Sequence, residues 1–377
     1  MPSSTMPSLL THFENIEDPR SGPALLHPLV NIIAIAICGV ICGADDWTEV
    51  EEFGQAKYEW LKRFLDLTHG IPSHDTFGRV FGRLDAQQFE EVFMSWVQTV
   101  AEKTQGQVIA IDGKTVRRSH DQSLGKKAIH MVSAWASANR LVLGQVKVDE
   151  KSNEITAIPA LLRVLDLSGC IVTIDAMGCQ KEIAAQVIDQ EGDYVLAVKD
   201  NQPQLSEKIA KLFVHSRMPL SDLPSDDATR TEKGHGRLET RSCQVLDVRE
   251  WLYYLDTERA WAGLRSIVRV TARRQVGEER SEETRYFISS LPCDAPRLLQ
   301  VVRDHWGVEN GLHWVLDLAF QEDASRIRKD NSPENFSRLR RLALNLLRNE
   351  KTAKVGIKAK RRRAGWDEQY LLKVLSA

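Results

Sequence analysis

Apolar positions change their spacing along this 377-residue chain, and the changes divide it into segments. From about Pro7 to Gly106 they recur at helical intervals, with FENIEDPRSG reading as a leading loop and GIPSHD as a turn before a helix capped by Ser73 or Asp75. The apolar run from Leu29 to Ala44 is shorter than the roughly 20 residues a membrane span needs, and it predicts a buried helix. Glu14, Glu17 and Asp18 precede it, where a signal peptide would carry basic residues. From Gln107 the texture alternates. QVIAIDGK, AIHMVSAWAS and RLVLGQVKV predict three successive strands, the last two joined by a tight turn at Asn139. A helix follows at about Glu154 to Leu165, then the strand IVTID, a helix from Lys181 to Asp189 and the strand YVLAVK. Between Ser206 and Pro296 the pattern becomes charged and β-rich, and from about Ala295 to Asn349 it is helical again, with a long helix from Pro333 to Arg348.

Three adjacent strands, a helix and then an alternating βαβ unit form the order of an RNase H-like core. The expected fold class is therefore α/β: a mixed sheet flanked by helices, with a β-rich insertion and an N-terminal all-helical domain. The corresponding segments are 1–106 (helical, DNA-binding), 107–205 (first part of the core), 206–294 (insertion) and 295–377 (core helices and a basic C-terminal tail).

Two carboxylates stand at strand ends in this scheme: Asp112 closes QVIAID and Asp175 closes CIVTID. A third, Glu309, interrupts the apolar stripe Leu298, Val302, Leu312, Leu316, and a carboxylate aimed at a core is costly unless a cation meets it. Two aspartates on strands and a glutamate on a later helix suggest a metal site for phosphodiester chemistry. Mg²⁺ prefers oxygen ligands, and two such ions about 3.5 to 4 Å apart clamp the attacking and leaving oxygens of a phosphoryl transfer. The expectation is thus two Mg²⁺ ions, with Mn²⁺ able to substitute, bridged by Asp112. His305 and His313 share the face of Glu309, but no HExxH is present for a transition-metal site. His305 is expected to donate to a phosphate or orient Glu309, and Trp306 and Trp314 to belong to the core, the alternative being stacking on an unpaired base.

A net charge of −2 argues against a nucleic-acid partner, but its distribution argues for one. Residues 1–100 hold 14 acidic and 6 basic side chains, whereas 326–363 hold 14 basic and 3 acidic, −8 against +11. The basic runs, with Arg326, Arg328, Arg361, Arg362 and Arg363, predict a phosphate-binding surface; the alternative is a solvated helix face and a frayed tail. Lys114, Arg117 and Arg118 directly follow Asp112, where they would position phosphates. Arg79 and Arg83, one helical turn apart, suit the second helix of a helix-turn-helix. The insertion's Arg230, Arg237, Arg241, Arg269, Arg273 and Arg274 either line DNA or form an outward polar face. Six cysteines without CxxC spacing disfavour a zinc ribbon and favour a reduced, cytoplasmic compartment.

The blocks IAIDGKTVRRS, TIDAMGCQKEIA, YVLAVKDNQPQL, RYFISSL and HWGVENGLHWVLDLAFQEDASRIRKDNSPEN resemble those of bacterial insertion-sequence transposases of the ISAs type, which include the H-repeat-associated proteins. The resemblance runs from about Phe13 to the C-terminal helices. It implies a DDE transposase with an RNase H-like core, Mg²⁺ dependence, an N-terminal DNA-binding region and Asp112, Asp175 and Glu309 as the catalytic triad. One departure stands out: the pattern Y-x2-R-x3-E-x6-K of many related transposases meets Val302, His305 and Leu316 here. The implied protein is a homodimer on DNA, nucleoid-associated when bound. It binds terminal inverted repeats and target DNA, cleaves at the element boundary and transfers the strand. Alternatives are a silent, transposase-derived DNA-binding protein or a stand-alone structure-specific nuclease.

Overall fold

A computed structural model describes residues 8–22, 25–101, 105–120, 125–149, 153–216, 223–234, 236–256 and 260–377. Its centre is a nine-stranded sheet: β1 (Val108–Thr115), β2 (His130–Ala136), β3 (Leu141–Lys147), β4 (Ile171–Ile174), β5 (Asp193–Val198), β6 (Ser225–Gly234), β7 (Arg237–Asp247), β8 (Ser266–Val276) and β9 (Glu279–Ser289), in the order β3-β2-β1-β4-β5-β9-β8-β7-β6. β1 pairs antiparallel with β2 and parallel with β4, which in turn pairs parallel with β5. These five strands are the expected RNase H-like core. The tight turn between β2 and β3 takes its left-handed residue at Arg140, φ 57°, next to the expected Asn139.

The strands alternate faces with the period of 2 that a sheet imposes. Ile171, Val195 and Ala197 meet Leu298 and Val302 of the Ala295–His305 helix. Val172, Ile174, Leu196 and Val198 join the larger core with Ile158 and Leu161 of the Glu154–Val164 helix and Ile183 of Lys181–Asp189. The insertion is not a separate layer. β9 pairs antiparallel with β5, so the core sheet continues into β9, β8, β7 and β6, and the boundary drawn at 205/206 falls inside the helix Pro203–His215.

No single helix among the described residues is long and apolar enough to cross a membrane. The apolar run forms the helix Leu29–Cys42, buried against Trp47–Ala56, Ser332–Asn349 and Ile357–Trp366. Ser73 caps the helix His74–Arg83 by accepting the Thr76 N–H, as its sequence predicts.

The helix Ser332–Asn349 is enclosed almost from end to end, packing on Leu29–Cys42, His74–Arg83, Ala86–Val100, β3 and both C-terminal helices. Asn345 docks it on β3 by exchanging two hydrogen bonds with the Val142 backbone, at 2.9 and 2.8 Å. Its arginines are inside the protein, where each charge requires a partner. Arg338 binds Glu90 at 2.7 Å and Glu334 at 2.8 Å. Arg341 binds Glu322 at 2.7 Å with both side chains 0% exposed, and reaches Ser133 of β2 at 3.3 Å. Arg340 lies over the Phe336 ring at 4.4 Å.

These contacts correct the expected basic surface. Residues past Glu350 are not a frayed tail: they form the helices Ile357–Trp366 and Glu368–Leu375, the second capped by Asp367. Arg361 is buried, donating to the carbonyls of Val40, Ala44 and Ala319 and to Asp45 at 3.0 Å. It therefore cannot serve a phosphate as expected, whereas Arg362 and Arg363 are exposed. Much of the C-terminal positive charge is consumed internally, part of it by acids of the N-terminal segment such as Glu90 and Asp45.

Replacing Glu322 by Gln leaves the Arg341 guanidinium without its counter-charge and should cost about 3 to 5 kcal/mol in urea unfolding. The double change Glu322→Leu with Arg341→Met removes both charges and should cost clearly less.

Candidate functional site

The parallel ladder between β1 and β4 ends with Ile111 opposite Ile174. The next residues are Asp112 and Asp175, so the register sets the two aspartates side by side across a strand spacing of about 4.8 Å. Asp175 accepts the Met177 N–H at 3.0 Å and so caps the short turn Ala176–Gly178. Asp112 accepts the N–H of Gly113 at 2.9 Å.

Glu309 reaches this end of the sheet by a different route from the one its sequence predicts. Past the Ala295–His305 helix, residues Glu309–His313 form a π-helical turn, whose extra residue rotates the register. Val308, Leu312 and Leu316 then face the core at spacings of four, and Glu309 is exposed. The cost of a core-facing carboxylate is avoided. The core assignment of two tryptophans is overturned: Trp314, just past the turn, is 61% exposed, and Trp306, before it at the end of the Ala295–His305 helix, is 39% exposed under the Arg285 guanidinium at 4.2 Å. The π turn lies against Trp135, and a Cβ at Gly311 would sit 2.8 Å from that ring, so only glycine permits the approach. Arg348 covers the Trp135 ring at 4.5 Å and donates to the carbonyl oxygens of Gly311 and Arg140.

The carboxyl of Asp112 is pushed up to about 7, first by burial and then by the charges of Glu154, Asp175 and Glu309, against the opposing hydrogen bond from Gly113. The charges of Asp175 and Glu309, the other two expected acids, thus bear on Asp112, together with that of a fourth acid that sequence reasoning missed. Glu154 opens the helix Glu154–Val164, and its Oε1 stands 2.6 Å from His130 Nε2, whose Nδ1 is 2.8 Å from the Thr115 hydroxyl. A Cβ on Gly113 would overlap that carboxylate. A glycine inside a strand is the signal of close approach that could have pointed to it.

Neither histidine of the π-turn region supplies charge. His305 Nδ1 lies 2.9 Å from the Thr173 hydroxyl, and burial pushes the imidazole down to about 4 despite the Asp175 charge. It is neutral at pH 7 and tied to β4 through Nδ1, so a contact with a phosphate would be a hydrogen bond from the neutral ring and not an ion pair. His313 is likewise pushed down to about 4, first by burial, and its Nδ1 is 3.6 Å from Asp112, too far for a hydrogen bond. Among the described residues, no three His, Cys, Asp or Glu side chains are close enough as they stand to hold one ion. The donor chemistry nonetheless fits a hard divalent cation, because the four groups are carboxylates and a cation would offset both the burial that chiefly lifts Asp112 and the repulsion that adds to it.

The predicted cations divide. Lys114 is buried and held by Asp317 at 2.8 Å and Asp323 at 3.0 Å, so it stiffens the scaffold and does not face a phosphate as expected. Arg117 and Arg118 are exposed beside it, and Arg328 donates to the Arg118 carbonyl at 3.2 Å. Arg79, Arg326 and Arg328 line one groove of about 610 Å³ together with Asp45 and Asp75, which joins the helical N-terminal region to the segment after Glu309. Arg83 is exposed at the end of its helix. The insertion arginines favour the polar-face alternative: Arg241 binds Glu239 and Glu232, Arg273 binds Glu282, and Arg230 binds Glu232.

Comparison with known proteins matches two family descriptions, "DDE_Tnp_1-associated" over residues 10–97 and "Transposase DDE domain" over 103–346. The chain is 44% identical to "Putative transposase YncI" of Escherichia coli O157:H7, covering 98% of this chain and 95% of the relative. It is 42% identical to "H repeat-associated putative transposase YhhI" of Escherichia coli strain K12, covering 98% and 97%. A cryo-EM structure of the piggyBac transposase synaptic complex with hairpin DNA covers 97% of this chain and 77% of its own, at 12% identity and a TM-score of 0.46, too loose a likeness to bear on the site.

The raised Asp112 fixes the sign of a pH effect. Its folded value of about 7 lies above the ordinary 3.8, so its contribution to stability is present below pH 4 and is lost as pH rises through 7. In EDTA, Asp112→Asn should melt higher than wild type at pH 8 and close to it at pH 4. Equal offsets at both pH values would show that Asp112 ionises normally.

Proposed function

Because the chain belongs to the DDE transposase family, we propose that it binds the terminal inverted repeats of its own element and carries out metal-dependent DNA cleavage and strand transfer there, using Asp112, Asp175 and Glu309. The observation that carries this reading is the register of β1 and β4, which seats two aspartates side by side where their parallel ladder stops, Asp112 within β1 and Asp175 just past β4. The charge of Glu309, felt at Asp112, supports it. Asp112, Asp175 and Glu309 would hold Mg²⁺ or Mn²⁺, as one ion or two, with Asp112 central. When bound, such a cation polarises a phosphoryl oxygen and acidifies water.

The chain's own residues supply the rest. Glu309 sits on an exposed turn and can close onto DNA without disturbing the core. His305, neutral and fixed by Thr173, keeps the neighbouring helix end registered on β4. Arg117, Arg118, Arg326 and Arg328, with Arg79 and Arg83 from the N-terminal region and Arg362 and Arg363 from the C-terminal helix, are the exposed or part-exposed cations available to phosphates. A water oxygen attacks phosphorus at the element boundary and the 3′ oxygen leaves, taking a proton to become a 3′-hydroxyl. That hydroxyl then attacks a target phosphodiester in line and expels its 3′ oxygen. The working form is a homodimer on DNA in the bacterial cytoplasm.

A supercoiled plasmid carrying the element's ends tests the reading. Asp175→Asn should lower nicking by about a thousandfold or more, since several kcal/mol of charge stabilisation depend on the ligand set. Affinity for the ends, measured in EDTA, should stay within about twofold for a change that removes no phosphate contact. Mg²⁺ and Mn²⁺ should support nicking and Ca²⁺ should not, because its longer and looser contacts suit an in-line clamp poorly. Nicking by the variant at the wild-type rate would remove Asp175 from the chemistry.

A further inference from the structure

A groove of about 720 Å³ opens beside the Glu309 turn, between residues 310–319, the β2–β3 turn at Asn139 and Arg140, and the segment 350–360. Its floor is apolar yet open: Trp314 is 61% exposed, Val355 53% and Leu318 48%. Its rim carries exposed Arg140, Lys351, Lys354 and Lys358. The other charges in the lining are already engaged. Arg348 is held by the carbonyls of Gly311 and Arg140, and Lys360 by those of Leu347 and Glu350. Glu350, the carboxylate of the lining, is gripped by Thr352, Ala353 and Tyr370 and held down at about 2, so it stays charged but turned to its own hydrogen bonds.

An aromatic, apolar floor under a rim of unopposed cations matches one ligand chemistry closely. A polynucleotide strand with unpaired bases presents flat π-faces and a regular row of negative charge. A duplex keeps those faces inside its stack and would use only the rim. Asn310 and Gly311, which begin the lining, follow Glu309 directly in the chain, so the groove starts beside that residue. We propose that this groove binds an unpaired DNA strand, with a base stacked on Trp314 and the flanking phosphates on Lys351, Lys354, Lys358 and Arg140.

The choice of DNA as occupant rests on the transposase reading, but the groove's occupancy needs no chemistry, so it is tested in EDTA with the full chain. Fluorescence anisotropy would follow a labelled short oligo(dT) and, in parallel, a labelled duplex. Trp314→Ala should weaken the single strand by roughly 5- to 100-fold and leave the duplex within about twofold, while Trp314→Phe, which keeps a π-face, should recover most of the loss. Changing Lys351, Lys354 and Lys358 together to Gln should flatten the salt dependence of strand binding by about 2 in log–log slope. Trp314 is largely solvent-exposed, so unaltered thermal melting should accompany these effects. Equal losses for strand and duplex, or undiminished strand binding by Trp314→Ala, would overturn the proposal. So would a change in sedimentation showing that Trp314 is covered by a second copy of the chain. Failure of nicking with strand binding intact would count against the transposition chemistry alone.

Discussion

An arginine cannot be left alone in a protein interior, and the helix Ser332–Asn349 carries three there. Each needs a partner from a different part of the chain, and satisfying them arranges the molecule. Arg338 draws in Glu90 from the helical N-terminal region, Arg341 takes Glu322 from the turn after the Glu309 segment, and Arg340 donates to the Asp45 carbonyl. Arg341 also reaches Ser133, the residue of β2 that pairs with Asp112. A substitution that unbalances this helix is therefore felt at the carboxylates without touching them.

The site is built on that frame by two local departures from regular structure. The π turn at Glu309–His313 turns its leading carboxylate outward while Val308, Leu312 and Leu316 keep the helix anchored. Gly311 lets the turn lie on Trp135, and Gly113 leaves space for Glu154 beside Asp112. Both devices serve closeness. They bring negative charges together in a partly buried place, which favours the folded protein least when Asp112 is ionised and most when something cationic is present.

Hydrophobic spacing was sufficient to read most of the elements, because strands of period 2 and helices of period 3.6 leave distinct marks in this chain. β1 to β5 lie where QVIAIDGK through YVLAVK predict them, and the family resemblance agrees with the match over residues 103–346. What was not legible depended on contacts distant in sequence. The run KAKRRR looks like a solvated basic tail until Val40, Ala44 and Asp45 are seen to enclose Arg361. Lys114 looks free until Asp317 and Asp323, some two hundred residues later, close on it. The π turn was hidden for another reason: one extra residue in a helix is invisible to a fixed period, and it reversed the exposure inferred for Glu309 and Trp314. Glu154 carried no motif, only a strand glycine opposite it.

Phosphoryl transfer at this site requires that Asp112 and Asp175, side by side where the β1–β4 ladder stops, hold a divalent cation. The most direct measurement is an anomalous-difference map from crystals of the full chain grown with element-end DNA and Mn²⁺. The expected map shows a peak coordinated by both Asp112 and Asp175, with Glu309 or Glu154 completing its oxygen shell. Manganese bound elsewhere, with these two aspartates empty while DNA occupies the protein, would contradict it.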